Sequence, residues 1–292
     1  MQISELRLKS RPISKGIIYI LIATLSFAIM NAMAKELSGM HPLQVVFLRA
    51  FGSFVFIFPY MLYRRISIVG SNPKILLARS LVGVVSLATF FIALQRIPLG
   101  SAVSIRYLGP IFGAVLAWFY LKERVSPLQW ISFAIAFLGV IVIKGFDLRI
   151  DYLSLGLMLT SAFFLGMVFV LIRYLSDKEH YLTIINYFMI VCMLVGLCFV
   201  QYWRMPLADE WPSVIGIGIF GLIGQIFMTV AFKHSEASVL APFKYMELVY
   251  ALIMGYIFFG EGYALLPMLG IVLIVIGMVL NVYGKEKNTS ST

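Results

Sequence analysis

The chain has 292 residues, of which 61% are hydrophobic and only 12% are charged. Because soluble domains carry about 25% charged residues, this composition excludes an ordinary soluble protein and predicts that most of the chain lies in a lipid bilayer. The net charge of +10 does not indicate a nucleic-acid partner, because the basic residues are concentrated in short connections between apolar runs.

The apolar runs predict ten membrane-spanning helices, since one span takes about 17–25 apolar residues. The first run follows three basic residues and ends in Ala32-Met33-Ala34, which is similar to a signal-peptide cleavage site. It is longer than the apolar core of a signal peptide, so we expect it to be retained as a span. The predicted fold class is therefore an all-α membrane protein. In chain order the runs cover residues 16–34, 45–62, 75–94, 99–121, 126–143, 153–172, 182–201, 213–231, 237–260 and 263–283.

Lys and Arg residues are distributed unevenly between the two ends of these spans. If the N-terminus is cytoplasmic, fourteen of them fall on the cytoplasmic side and five on the other side. Positive charge accumulates on the cytoplasmic side of membrane proteins. The sequence therefore predicts a multi-pass protein of the cytoplasmic (inner) membrane, with cytoplasmic tails at residues 1–15 and 285–292.

The second half of the chain repeats the first at an offset of 138 residues, without a gap. The two repeats cover residues 16–144 and 153–284, with five spans each. Because five is odd, the second repeat must cross the membrane in the opposite sense to the first. Inverted repeats of this kind are a transporter architecture, with the substrate site near the midplane between them. The matched residues include Arg106 and Lys244, Tyr107 and Tyr245, Glu123 and Glu261, and Gly139 and Gly277.

Two of the matched residues are cations inside apolar runs. Arg106 and Lys244 each follow roughly seven residues of their span, which is a depth of about 10 Å in a helix. A charge at that depth costs at least ~2.5 kcal/mol, so it normally faces a wet cavity or a partner. Glu247 lies three residues after Lys244, on the same face of a helix. Two interpretations stay open: the cations attract an anionic solute and Glu247 balances them, or Lys244 and Glu247 form a packing ion pair while Arg106 snorkels outward.

Other polar residues in the spans are weaker candidates. Tyr107 and Tyr245 directly follow the two cations and could stack on or hydrogen-bond a solute. Asn31 and Gln225 either line the cavity or hydrogen-bond between helices. Arg49 could join the cavity or reach an interface, whereas Arg79 is expected to snorkel. The candidate substrate-binding residues are therefore Arg106, Lys244, Glu247, Tyr107, Tyr245, Gln225, Asn31 and Arg49.

Motifs for enzymatic or ATP-driven chemistry are absent from the sequence. There is no G-x-x-x-x-G-K-[ST] run and no H-E-x-x-H, and no Cys/His cluster has metal-ligand spacing. Glu247 is the only acid that the sequence places deep in a span, which disfavours an intramembrane enzyme that needs paired carboxylates. We expect no metal and no cofactor.

The residues around the two cations resemble a known family. Arg96-Ile-Pro-Leu-Gly-Ser-Ala102, Tyr107-Leu-Gly-Pro-Ile-Phe112 and Leu121-Lys-Glu123 are similar to the fourth-span signature of EamA domains, in the drug/metabolite transporter superfamily. The stretch from Ser238 to Glu261 resembles the same signature again. The resemblance implies a ten-helix bundle around a central cavity and transport by alternating access. Family members carry amino acids, purines, riboflavin, S-adenosylmethionine, sugars or drugs, so it implies a class and not a cargo.

One residue departs from the family pattern and bears on which molecule is transported. Many members are expected to have a small neutral or apolar residue where this chain has Arg106, so the pair Arg106/Lys244 would define a subgroup. The stretch Lys244-Tyr-Met-Glu-Leu-Val249 resembles members that carry cofactor-like or carboxylate-bearing metabolites.

The sequence therefore predicts a secondary transporter for a small organic metabolite with an anionic or zwitterionic group, such as an amino acid, a carboxylate or a cofactor-like molecule. A channel-like facilitator and, less favoured, an intramembrane enzyme are the alternatives. A homodimer stays open as the active unit.

Overall fold

The computed structural model describes residues 15–121, 125–175, 178–234, 240 and 243–289. Residues 1–14 of the predicted N-terminal tail, residues 290–292 of the C-terminal tail, and Glu123 lie outside this part. Within it the chain forms α-helices and two short 3-10 segments, with no β-strand. The α-helices are α1 Lys15–Glu36, α2 Pro42–Tyr63, α3 Pro73–Leu94, α4 Leu99–Arg106, α5 Gly109–Leu121, α6 Pro127–Phe146, α7 Tyr152–Leu175, α8 Tyr181–Leu197, α9 Trp211–His234, α10 Met246–Phe259 and α11 Leu265–Thr289.

These helices confirm the predicted all-α membrane fold with ten spans. Eight segments are long and apolar enough to cross a bilayer; one of them, Leu99–Phe119, contains α4 and most of α5. The remaining two spans are the shorter apolar helices α8 and α10. Among the residues that the structure describes, α4 and α5 therefore count as one span and each other helix as one.

Local signals in the sequence set several helix starts. Proline opens α2, α3 and α6 at the first helical position, where its missing N–H is not needed. Ser126 and Gln129 form a capping box at the start of α6. Gly260 ends α10 with φ of +61°, a left-handed conformation that glycine adopts without a Cβ penalty.

The two halves pack with exchanged, equivalent contacts. A methyl group at Gly139 in α6 would touch Gly270 and Ile274 of α11, whereas one at Gly277 in α11 would touch Ser132 and Ala136 of α6. The contact partners in each case are related by the same 138-residue offset. This reciprocity is the mark of a two-fold relationship between the halves.

The helix neighbours follow the same two-fold relationship. Helix α1 packs against α9 as α7 packs against α3, and α2 packs against α9 as α8 packs against α3. The pairs α2 with α8 and α6 with α11 are their own equivalents. With five spans in each half, this arrangement makes the duplicated repeat an inverted one.

The fourth and ninth spans are interrupted at equivalent residues. The chain turns at Tyr107 and Leu108 between α4 and α5, and it turns at Tyr245 just before α10. The apolar pattern predicts an uninterrupted helix at both places, and this expectation is wrong. In the fourth span Pro110 cannot donate to the carbonyl of Arg106, and its ring would clash with that carbonyl in a regular helix. At the other break the Leu248 amide donates to the Tyr245 carbonyl, three residues back.

Candidate functional site

A cavity of about 190 Å³ lies between the two halves of the bundle. Both halves contribute to its wall, through α1, α2, α3 and the fourth span on one side and through α7, α8, α9 and the ninth span on the other. The two interrupted spans place their cations here, and in each span the break directly follows the cation. The lining residues include Thr24, Met30, Arg49, Arg79, Ser86, Arg106, Tyr107, Phe169, Phe188, Gln225, Lys244 and Glu247.

A hydrogen-bonded group at the cavity joins three spans. The Tyr107 hydroxyl oxygen lies 2.8 Å from the backbone carbonyl oxygen of Lys244 and 3.0 Å from Glu247 Oε2. Asn31 Nδ2 donates to Glu247 Oε1 at 3.2 Å. Asn31 therefore bridges helices, one of its two predicted roles, and does so by holding the carboxylate of the cavity. The Tyr245 ring packs edge-on to Tyr107, with ring centroids 5.7 Å apart.

The charged ends of the two predicted cations each lie against an aromatic ring. The Arg106 guanidinium carbon lies 4.0 Å from the centroid of the Phe90 ring, and Arg106 Nε is buried without a hydrogen-bond partner. Lys244 Nζ lies 5.2 Å from the centroid of the Phe169 ring. In the described part of the chain no ion pair joins Glu247 to either cation, because its carboxylate accepts from Asn31 and Tyr107 instead. The predicted alternative of a Lys244–Glu247 pair with an outward-pointing Arg106 does not match this geometry.

Two further arginines of the first half line the same cavity. The side chains of Arg49 and Arg79 are buried, with 6% and 5% of the residue surface exposed. Their guanidinium carbons lie 6.0 Å and 4.8 Å from the centroid of the Phe188 ring. Arg49 thus joins the cavity, the first of its two predicted positions, and does not reach an interface. The expectation that Arg79 snorkels to an interface is wrong.

Arg79 and Phe188 are among the cavity residues that sequence reasoning missed. Arg79 lies only six residues after Pro73, the start of α3, so its depth fits snorkelling. Depth does not say which way a side chain points. A signal was available, because Gly83 and Ser86 follow Arg79 at helical spacing and give that face of α3 small and polar residues that lipid does not favour.

Gln225 lines the cavity from α9, on the wall formed by the second half. Its backbone carbonyl accepts a hydrogen bond from the Thr229 hydroxyl one turn later. Its side-chain amide is an uncharged donor and acceptor on this wall.

A polar cluster lies at the end of the bundle at which α1 ends and α4 begins. We call this the Lys35 face; it contains Lys35, Ile97, Leu99, Gly100, Glu261 and Tyr263. Lys35 Nζ lies 2.8 Å from Glu261 Oε1 and donates to the Ile97 carbonyl at 2.5 Å. Glu261 Oε2 accepts from the Leu99 amide at 2.8 Å and from the Tyr263 hydroxyl at 3.0 Å. The cluster therefore ties the first half to the second across this end.

The connection after α6 supports the same face. Arg149 donates two hydrogen bonds to the Asp147 carboxylate, at 2.8 Å and 2.9 Å, and these raise the pKa of Arg149 above its ordinary value. Its guanidinium carbon lies 5.3 Å from the centroid of the Tyr263 ring. Burial raises the pKa of Tyr263, so its hydroxyl remains a donor to Glu261.

The model of one family matches the chain twice in succession. The EamA-like transporter family matches residues 14–145 and again residues 153–283. The chain belongs to the EamA-like transporter family. The resemblance of the fourth-span and ninth-span motifs is confirmed by this duplicated match.

Curated relatives of the chain are named as transporters. The chain is 28% identical to the pseudopaline exporter CntI of Pseudomonas aeruginosa, over 91% of this chain and 95% of the relative. It is 27% identical to the S-adenosylmethionine uptake transporter of Rickettsia prowazekii, over 94% and 95%. It is 25% identical to human solute carrier family 35 member G1, over 84% and 73%.

A solved structure shows the same fold. It matches 93% of this chain and 98% of its own, with a TM-score of 0.68 and 17% sequence identity. The inverted ten-span bundle is therefore an experimentally observed architecture.

Proposed function

We propose that this protein is a secondary transporter that moves a small organic metabolite with an anionic or zwitterionic group across the cytoplasmic membrane by alternating access. The observation that carries the proposal is the position of Arg106 and Lys244, which reach one cavity from opposite repeats. The family to which the chain belongs, its inverted repeats and its relatives named as transporters support a role in transport. The buried cations support an anionic group on the transported molecule.

Recognition is assigned to residues of the cavity wall and to Asn31 and Tyr245, which contact Glu247 and Tyr107 of that wall. Arg106 and Lys244 attract the anionic group, and the planar guanidinium of Arg106 suits a carboxylate because it donates two parallel hydrogen bonds. Glu247 is held by Asn31 and Tyr107 and receives the cationic part of a zwitterion. The proposed substrate-binding residues are Arg106, Lys244, Glu247, Tyr107, Tyr245, Gln225, Asn31 and Arg49.

Alternating access is assigned to rocking of the two repeats, residues 16–144 and 153–284, about the cavity. The distribution of Lys and Arg supports cytoplasmic termini, which places the Lys35 face outside. The Lys35–Glu261 ion pair then supports a state that is closed at the outer end. Breaking and remaking this pair would accompany each transport cycle.

Counterflow in sealed proteoliposomes tests the proposal. Vesicles loaded with an unlabelled metabolite should take up the labelled compound transiently and saturably, for at least one member of a panel of amino acids, carboxylates and nucleoside-containing cofactors. Flux that never saturates would indicate a channel-like facilitator, and chemical change of the label would indicate an enzyme. Either result contradicts the proposal.

A matched pair of lysine variants ties transport to the cavity. Lys244→Met should lower exchange about 10- to 100-fold, because a hydrogen bond to a charged group contributes about 1.5–3 kcal/mol. Lys144→Met removes a lysine at the end of α6, where Nζ lies 4.2 Å from the Tyr152 ring centroid, and should leave exchange unchanged. Normal exchange by Lys244→Met would remove Lys244 from the site.

A further inference from the structure

Arg49 and Arg79 form a second cationic group in the cavity. Both side chains are buried, and both guanidinium groups approach one ring, that of Phe188. Gly83 lies beside this ring; a methyl group at Gly83 would lie 3.0 Å from it. The packed ring holds the two arginines against the same part of the wall.

The hydrogen-bonding capacity of these arginines is largely unused. Arg79 Nε and Nη1 are buried and have no hydrogen-bond partner. Arg49 Nε donates to the Met30 sulfur at 3.0 Å, and a thioether is a weak acceptor. A contact with an aromatic face offsets only part of the desolvation of a buried guanidinium. Unpaired guanidinium N–H groups of this kind are suited to an oxyanion.

No protein carboxylate fills that role among the described residues. Glu247 is the acid of the cavity wall, and its two oxygens accept from Asn31 and Tyr107. The lining residues with a formal charge are Arg49, Arg79, Arg106 and Lys244 on the positive side and Glu247 on the negative side, a net charge of +3. A substrate with one carboxylate and one amine would leave this excess uncompensated.

The arginine pair and the other two cations of the cavity lie against different aromatic rings. The pair faces Phe188 of α8, whereas Lys244 faces Phe169 of α7 and Arg106 faces Phe90 of α3. The donors of the pair are guanidinium groups on helices α2 and α3, not free backbone amides at a helix start. Their planar forks match the plane of a carboxylate.

We infer that Arg49 and Arg79 form a second anion subsite, and that the substrate carries two or more carboxylates, one for this subsite and another for Arg106 and Lys244. The inference rests on the proposed function and narrows its substrate class from an anionic or zwitterionic metabolite to a polycarboxylate. Phe188 forms the apolar floor against which the second carboxylate is held.

A series of probes that differ in carboxylate number tests the subsite. Acetate, succinate and tricarballylate are compared at equal concentration and ionic strength, with the melting temperature of the purified protein in detergent as the readout, because binding to the folded state raises it. The stabilisation should increase along the series. In Arg79→Gln the ratio of the affinity for tricarballylate to the affinity for acetate should fall about 10- to 100-fold, as expected for the loss of a charge-assisted hydrogen bond.

Three variants keep the result interpretable. Arg49→Gln repeats the test at the other arginine, so it remains decisive where Arg79→Gln is poorly folded. Arg79→Lys keeps the charge but loses the fork and should show an intermediate loss. Arg96→Gln removes an exposed arginine that pairs with Asp151, and the stabilisation should increase from acetate to tricarballylate as in the wild type. The subsite is contradicted if the stabilisation of the wild type does not depend on the number of carboxylates. It is also contradicted if the stabilisation increases along the series equally in the wild type, Arg49→Gln and Arg79→Gln.

Counterflow with the same probes separates this inference from the proposed function. Binding that follows carboxylate number without exchange across the membrane supports the subsite and contradicts transport. Saturable exchange of metabolites that is indifferent to Arg49→Gln and Arg79→Gln supports transport and contradicts the subsite.

Discussion

Lys35 and Glu261, which belong to opposite halves of the chain, form a buried ion pair of 2.8 Å at one end of the bundle. Their side chains are only 14% and 8% exposed. The same carboxylate accepts from the first amide of α4 and from Tyr263, so the contacts across this end converge on one acidic side chain. If one repeat rocks against the other at this end, the ion pair and both hydrogen bonds must break together, because they share the Glu261 carboxylate.

Glu261→Gln is expected to open the Lys35 face. The new amide could still accept from the Leu99 amide but could not neutralise Lys35, and removal of one partner from a buried pair costs about 3–5 kcal/mol. We expect a cysteine introduced at Val103, on the cavity wall, to react several-fold faster with a membrane-impermeant thiol reagent supplied at that face. The measurement uses a background with Cys192→Ser and Cys198→Ser.

The control for this experiment is an exposed pair on the same side. Arg96 and Asp151 lie 3.4 Å apart with both side chains 49% exposed, and such pairs contribute little. Arg96→Gln should leave the labelling rate unchanged. Equal rates in wild type and Glu261→Gln would show that the ion pair does not hold this end closed.

Hydropathy and the repeat predicted the spans and the approach of Arg106 and Lys244 to one cavity from opposite repeats. Arg106 and Lys244 share an offset with their neighbours, and two inverted copies of one fold bring equivalent residues to the same axis. Depth along a span is visible in the sequence, because it is counted in residues.

The sequence says less about the direction in which a side chain points from its helix, and about which residues at distant helix ends pair with each other. Arg79 was misplaced because its depth fits both an interface and the interior. The pairing of Lys35 with Glu261 could not be predicted, because each is a connection residue whose partner depends on which ends of the bundle meet. The turn at Tyr245 has no proline signal comparable to Pro110, so apolar periodicity alone predicts a continuous helix there.

Glu247→Gln is expected to flatten any pH dependence of exchange. The Tyr107 hydroxyl has one proton but lies within hydrogen-bond distance of two acceptors, the Lys244 carbonyl and Glu247. A proton on Glu247 would complete the arrangement, with Glu247 donating to Tyr107 and Tyr107 donating to the carbonyl. Exchange rates across the pH range in proteoliposomes measure this coupling.

Tyr107→Phe is the companion variant for that experiment. It removes the shared hydroxyl but keeps the carboxylate, so exchange should weaken while a pH dependence remains. An identical pH profile in wild type and Glu247→Gln would rule out Glu247 as a proton-binding group of the cycle.

Gly139→Ala is expected to destabilise the contact between α6 and α11. The added methyl group would lie 2.5 Å from the Gly270 carbonyl oxygen, so backbone must shift. Overpacking of this kind costs about 1–3 kcal/mol and should lower the melting temperature in detergent. Gly277→Ala should act similarly, because its methyl group would lie 2.6 Å from the Ser132 carbonyl oxygen.

Gly156 supplies the matched control for these glycines. It lies in α7 with nothing within 4 Å of an added methyl group. Gly156→Ala should be neutral or slightly stabilising, since alanine favours the helix by up to about 1 kcal/mol. If Gly139→Ala and Gly156→Ala melt at the same temperature, the close approach of α6 and α11 does not limit stability.

Glu210→Gln is expected to loosen the connection between α8 and α9 in a pH-dependent manner. Glu210 accepts hydrogen bonds from Arg204 and from the Leu207 amide, and Arg204 also donates to the Gly39 carbonyl. These bonds hold the pKa of Glu210 below its ordinary value. Because the folded-state pKa is lowered, their stabilisation is present above the unfolded pKa of about 4.3 and is lost as pH falls through the folded value.

Melting temperatures measured from neutral to acid pH test this sign. Glu210→Gln should melt a few degrees below wild type at neutral pH, and the difference should shrink as the medium becomes acidic enough to protonate the wild-type carboxylate. Asp209→Asn removes a neighbouring exposed acid from the same turn and should leave the curve close to wild type. A difference between Glu210→Gln and wild type that persists unchanged into acid would mean that shape, and not the charge of Glu210, secures this connection to the end of α1.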